Sequence, residues 1–418
     1  MRLPGRTDVT HWVVFGPQTY SFSEMNSFRR YDELLRPSEL ELVGRASAFC
    51  NGDFAHEMEV AYKEGRPFST HIIAEWAKLG MLGLQVPVEQ GGYGASFICK
   101  LRVAQEMARV SFAAAFALNN MQGMATRLAY QGNQTQKEHL LKGLMAASYI
   151  GAPAMTEPEV GSDLGALSTR ATKVDGGWLL NGTKAWITNG AIANCLMVLA
   201  RCETGNGNED IAGFLVTRGD ANTYTSSAAS MPGGASFRLA EIRFENHFVP
   251  DWGLMYEPGH AFKRSLQAIN AARVHVAAMC LASLDSALET AVTYAGTERR
   301  TFGRPLLEHQ GMRWNLADVA IRLDAANALV LEAARDIEAG RGDPGLCAAA
   351  KVFATDTAKE GIAQCIQAMG AIGASSAYRL SMLQSELRLA SYADGTTEML
   401  RDRVGQGLVK RYNSTTVS

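Results

Sequence analysis

The sequence predicts a mainly α protein with a central β domain: a helical segment, a strand-rich segment, then a longer helical segment with the grammar of a bundle. Three observations predict it. Helix-forming apolar patterns fill the chain before about residue 147 and again after about residue 260. Between those limits strand formers and Asn-Gly pairs take their place. And 418 residues, 47% of them apolar, exceed one small core and suffice for two or three domains.

In order, residues 1–35 read as an irregular N-terminal extension and 36–147 as the first helical domain. Ser38-Glu-Leu-Glu-Leu-Val opens a helix with an N-cap and early acids, residues 68–83 suggest another, and 104–130 return to helix formers. Val86-Pro-Val-Glu-Gln-Gly-Gly-Tyr-Gly breaks the run between them. Residues 148–260 form the predicted β domain. Its segment 178–190 carries two Asn-Gly pairs, at Asn181 and Asn189, read as turns. Residues 195–200, 211–216 and 241–244 have the length and composition of strands. Residues 261–412 are helical again, in runs of about 263–298, 310–339, 346–371 and 373–390 with alanine-rich faces suited to close packing.

Composition excludes several function classes. With 40 Lys+Arg against 42 Asp+Glu the net charge is −2, so no global basic field draws nucleic acid. No uninterrupted apolar run reaches the roughly 18 residues of a membrane span. The seven cysteines include no C-x-x-C pair, which argues against a disulfide framework or zinc module and for a reducing cytoplasm. The start of the chain has no apolar stretch of the secretory kind. Phosphate-loop, H-E-x-x-H and G-x-S-x-G motifs are missing, and eight scattered histidines predict no metal site.

The informative stretch is Ala154-Met-Thr-Glu-Pro-Glu-Val-Gly-Ser-Asp, dense in N–H and hydroxyl donors suited to a polar heterocycle. Alone it reads first as a turn-rich connection into a sheet, with Thr, Ser and Asp satisfying their own backbone. Together with Trp186-Ile-Thr-Asn-Gly, Arg299-Arg-Thr-Phe-Gly-Arg-Pro-Leu-Leu-Glu-His-Gln and Asp394-Gly-Thr-Thr-Glu, it resembles the acyl-CoA dehydrogenase family of FAD-dependent flavoproteins. The resemblance covers residues 35–412. It implies an N-terminal helical domain, a middle β domain and a C-terminal four-helix bundle. It also implies a homotetramer built as a dimer of dimers, with FAD across a subunit interface.

The family's residues carry over by position. Met155 and Thr156 resemble the pair that hydrogen-bonds the flavin ring, and Trp186 and Thr188 the pair beside its dimethylbenzene edge and N5. Arg299, Thr301, Phe302 and Gln310 match residues a neighbouring subunit offers to the pyrophosphate and adenosine, where a guanidinium fork suits phosphate oxygens. Gln367 and Gly370 match the pyrophosphate region, and Thr396 and Glu398 the adenosine and phosphate end. Ser162 resembles the residue touching the pantetheine arm of the substrate.

The implied reaction removes the α-proton of an acyl-CoA or acyl-carrier-protein thioester with a carboxylate while the β-hydrogen passes to flavin N5. A dry site that polarises the thioester carbonyl makes so weak an acid accessible. The family's usual Tyr-Glu-Gly-Thr is here Ala393-Asp394-Gly395-Thr396, so Asp394 is the candidate base, one methylene shorter, and Ala393 opens the pocket beside it. The alternative family position for the base is Ala272, followed by Arg273, a candidate buried cation at the substrate site. Further departures are Met231-Pro-Gly-Gly-Ala-Ser236, which lacks an arginine, Gly370-Ala371 in place of Gly-Gly, and Ser385-Glu386 in place of Arg-Asp. These changes point to a branched, cyclic or unusual acyl group, with an electron-transfer flavoprotein as acceptor. Two alternatives stay open: a nitroalkane oxidase-like flavin oxidase, since those relatives use Asp as base, and a non-catalytic flavin-binding member.

Overall fold

A computed structural model of the chain describes residues 28–202, 210–219 and 224–413. Helical packing begins ahead of residue 36. Phe28 and Tyr31, flanking and within α1 (Arg29–Asp32), are buried, and the Tyr31 hydroxyl donates to the Asn327 carbonyl at 3.3 Å. In α2 (Pro37–Asn51) the cap is Arg36 rather than Ser38, because Pro37 occupies the first turn, where its missing N–H costs nothing. The domain continues with α3 (Asp53–Glu64), α4 (Thr70–Lys78), α5 (Phe97–Ala108), α6 (Phe112–Gln131) and α7 (Gln134–Met145). The stretch 104–130 is thus two helices. The Ser111 hydroxyl accepts from the Ala114 amide at 3.1 Å and starts α6 afresh.

The β domain comprises β1 (Gly151–Ala154), β2 (Arg170–Val174), β3 (Gly177–Ile187), β4 (Cys195–Cys202), β5 (Ile211–Thr217), β6 (Tyr224–Ala228), β7 (Ala240–Pro250) and β8 (Leu254–Tyr256). The sheet order is β6-β7-β3-β2-β4-β5-β8, with β1 beside β4; β1 and β2 run parallel to β4 and the other pairs are antiparallel. Asn181-Gly182 is not a turn. It lies inside β3 at a register shift, where Gly182 has φ 142° and a Cβ would stand 2.7 Å from the Thr169 Cα. The β2–β3 turn falls instead at Gly176, with φ 73°. Asn189-Gly190 does end β3.

The C-terminal part holds α8 (Ala261–Thr293), a π turn (Tyr294–Glu298), a hairpin of β9 (Arg300–Thr301) and β10 (Arg304–Pro305), α9 (Gln310–Glu338), α10 (Pro344–Met369), α11 (Leu380–Leu387) and α12 (Thr397–Asn413). The segment 373–390 is not the fourth long helix. Gly370, at φ 73°, stops α10 and leaves only the short α11, so α12 completes the set. Among the described residues, Ala261–Glu298 is one helix long and apolar enough on average to cross a membrane, although polar residues interrupt its apolar run. Its apolar side chains, such as Val274, Ala278 and Leu281, are taken up by the core that α8 shares with α5, α9 and α10.

Candidate active site

The turn between α11 and α12 carries two consecutive left-handed residues, Asp394 at φ 54° and Gly395 at φ 100°. Glycine adopts this conformation freely, and Asp does so more readily than most residues because its short polar side chain avoids the clash. Two buried cations hold the turn. Lys351 of α10 donates to the carbonyls of Ala393 and Gly395, both at 2.5 Å. Arg273 of α8 donates from Nε to the Asp394 carbonyl at 2.9 Å and from Nη1 to Asn270 at 2.8 Å. Three successive carbonyls therefore face positive charge, and the Asp394 amide makes no hydrogen bond among the described residues.

Burial pushes the Asp394 carboxyl above the ordinary aspartate range, and Lys351, Arg273, Arg127 and Lys100 pull it part of the way back. Burial likewise brings the Lys351 ammonium down to about 8, with the Asp394 charge the largest influence opposing it. The arrangement suits a general base: a carboxylate in a dry pocket, raised in basicity, on a backbone that cannot drift.

A second cluster forms on the sheet. Thr156, just past β1, accepts at its carbonyl from the Ala185 amide at 2.9 Å, which sets Met155 and Thr156 beside the end of β3. There the β3–β7 register shifts, and Trp186 takes φ 59°, so its indole turns outward and stays 57% exposed. Thr188 follows, buried. An uncovered indole with Met155, Thr156 and Thr188 around it fits a planar heterocycle with polar edges. These residues would hold the flavin.

A buried ion pair that sequence reasoning missed organises this wall. Glu157 accepts from Lys184 at 2.8 Å, from the Ser168 amide and hydroxyl at 2.6 and 2.7 Å, and from the Thr169 amide at 2.9 Å. Lys184 also donates to the Met155 carbonyl at 3.1 Å. Burial acts to raise the Glu157 carboxyl, but the Lys184 charge and these donors outweigh it and hold it at about 2. The signal lay in Lys184 standing four residues, two strand periods, beyond the buried Leu180 of β3. Lys351, a lone cation after Ala348-Ala-Ala, was equally readable as a buried charge in want of partners.

The remaining positions lie elsewhere. Arg299, Thr301 and Phe302 are on the β9–β10 hairpin, where Phe302 and Gly303 both have positive φ and the phenyl ring is 97% exposed. Gln310, also exposed, starts α9 beyond it. Gln367 and Gly370 are exposed at the end of α10. The Thr396 hydroxyl caps α12, accepting from the Met399 amide at 3.3 Å, and Glu398 is exposed in its first turn. Ser162 is exposed in the loop after β1. The structure brings Asp394, Ala393, Gly395 and Arg273 into one cluster and Met155, Thr156, Trp186 and Thr188 into another; the hairpin residues join neither.

Comparison with known proteins agrees with this geometry. The N-terminal, middle and C-terminal domains of acyl-CoA dehydrogenases match residues 36–148, 152–247 and 259–409. An acyl-CoA dehydrogenase of Bacillus subtilis is 32% identical over 354 residues, 84% of this chain and 93% of its own. The mitochondrial isovaleryl-CoA dehydrogenase of Arabidopsis thaliana is 29% identical over 93% of this chain and 95% of its own. The structure of butyryl-CoA dehydrogenase from Megasphaera elsdenii superposes with a TM-score of 0.85 at 27% identity, covering 90% of this chain and 98% of the other. With a clamped carboxylate late in the chain and an uncovered indole wall on the sheet, the chain belongs to the acyl-CoA dehydrogenase family.

Proposed function

We propose that this family member is an FAD-dependent enzyme that desaturates an acyl thioester between its α and β carbons, with Asp394 as the base. One observation carries the reading: the Asp394 carboxyl, raised by burial, stands on a turn whose carbonyls are gripped by Lys351 and Arg273. When bound, the flavin supplies the two-electron acceptor that takes the β-hydrogen with its bonding pair. The chain does the rest. Asp394 receives the α-proton as that C–H bond breaks, and its free amide is placed to donate to the thioester carbonyl where negative charge develops. Met155, Thr156, Trp186 and Thr188 orient the ring, and Ser162 the pantetheine arm. Arg299, Thr301, Phe302 and Gln310 serve a neighbouring subunit of a homotetramer, an electron-transfer flavoprotein accepts the electrons, and the seven buried, unpaired cysteines suit the cytoplasm.

Anaerobic titration of the flavin-loaded protein with a panel of acyl thioesters tests this. Bleaching of the flavin absorbance by at least one thioester is expected, and none by any would overturn the reading. The Asp at position 394 also favours a nitroalkane oxidase, which would release peroxide from nitroalkanes in air without any thioester.

A further inference from the structure

Within electrostatic reach of Asp394 stand two cations that no carboxylate hydrogen-bonds. The Lys100 ammonium on α5 makes no hydrogen bond or ion pair among the described residues, and the Arg127 guanidinium on α6 hydrogen-bonds only the Met197 sulfur, at 3.2 Å. Both are half-buried. In α6 the half-buried positions Phe116, Asn120, Gly123 and Arg127 follow one another at spacings of four, three and four, a single stripe of the helix, while its remaining residues up to Ala129 are buried except Thr126. A Cβ added at Gly123 would meet nothing within 4 Å, so this stripe borders open space. Lys100 is the one residue of 97–105 in α5 that escapes full burial. Across from it on α8, His275 is 6% exposed and its Nε2 has no partner.

The helices that carry these groups pack on one another, α5 against α6 and α8 and α6 against α8, and their charges interact. Lys100 feels both Arg127 and Asp394, Arg127 feels Asp394, and Lys100 acts on His275. Burial and the neighbouring Arg127 bring Lys100 down to about 8. Two like charges sharing a poorly solvated pocket are costly unless an anion joins them.

We propose that the acyl group of the substrate ends in an anion, a second carboxylate received by Lys100 and Arg127 at the far end of the α6 stripe. This deepens the reading of Asp394 as the thioester base and rests on it. The α- and β-carbons then lie beside Asp394, the chain passes Gly123, and the distal carboxylate makes charge-assisted hydrogen bonds to the two cations.

The test compares ω-carboxyacyl-CoA thioesters of increasing length with methyl-terminated isosteres, following anaerobic flavin bleaching and kcat/KM. The native protein should favour the carboxylate of the fitting length by about 10- to 100-fold, as one or two charged hydrogen bonds imply. In Lys100→Met/Arg127→Met that ratio should fall toward one, chiefly through KM, and Lys100→Arg should restore part of it. Preference of the native protein for the neutral isostere overturns the inference but leaves the base reading standing, and so does a ratio unmoved in the double variant. Bleaching by neither kind overturns both.

Discussion

Asp394 fills two demands at once, a left-handed backbone and a basic carboxylate, and replacing it by Asn keeps the first while removing the second. Asp394→Asn should retain flavin and lose about 10²- to 10⁴-fold in kcat, read by stopped-flow bleaching; unchanged bleaching would take the base role away. Because burial raises the Asp394 carboxyl, and only its ionised form accepts a proton, kcat/KM should climb with pH through a midpoint above the usual aspartate range. Glu386 offers a separate titration. It accepts from the Ser111 hydroxyl at 2.9 and 3.1 Å and from the Ala113 amide at 3.1 Å, at the start of α6, yet burial pushes it up to about 7. An unfolded glutamate titrates near about 4.3, so the folded chain binds this proton more tightly. The resulting stabilisation is complete below the unfolded value and is lost as pH rises through about 7. The melting temperature of Glu386→Gln relative to the native protein should therefore rise from about pH 5 to about pH 8; a flat difference would mean that the buried carboxyl carries no proton.

At the level of elements, the flavin wall depends on β3 being pinned to the loop after β1. Lys184→Met strands the Glu157 charge in the interior and should cost about 3–5 kcal/mol in denaturant unfolding, with loss of bound flavin. Stability within about 1 kcal/mol of native would show that the pair is not structural. Gly182→Ala should also destabilise, since it adds a methyl against Thr169 at a φ that L residues rarely adopt. The sequence was legible where pattern alone decides: β4, β5 and α9 lie close to where apolar periodicity sets them. It misled where tertiary contacts override a local signal. Asn181-Gly182 is a strong hairpin pair, but pairing of β3 with β7 on both sides turns it into a bulge. The gap between α5 and α6 hides in apolar residues because its cap, Ser111, is buried against Glu386.

Across the whole molecule, α6 packs against both β1 of the sheet and α8 of the C-terminal helices, and that meeting is invisible in any one segment. Asp394, Trp186 and the hairpin were legible as motifs, and Lys184 and Lys351 only by their apolar settings; Lys100 and Arg127 were not, because a buried cation is recognised by what surrounds it. Arg299→Ala should lower flavin content and weaken subunit association, measured by absorbance ratio and light scattering on the same sample. Full flavin occupancy would remove the cross-subunit role. The clamp on the turn has a further consequence for the lifetime of the protein. Asp-Gly is the dipeptide in which the following main-chain nitrogen most easily attacks the side-chain carboxyl, closing an imide with loss of water that reopens largely to isoaspartate. Lys351 and Arg273 fix the peptide planes at Asp394 and Gly395 and withhold that approach while the chain is folded. Each spell of heat that frees the turn would expose the Asp394 carboxyl to that conversion.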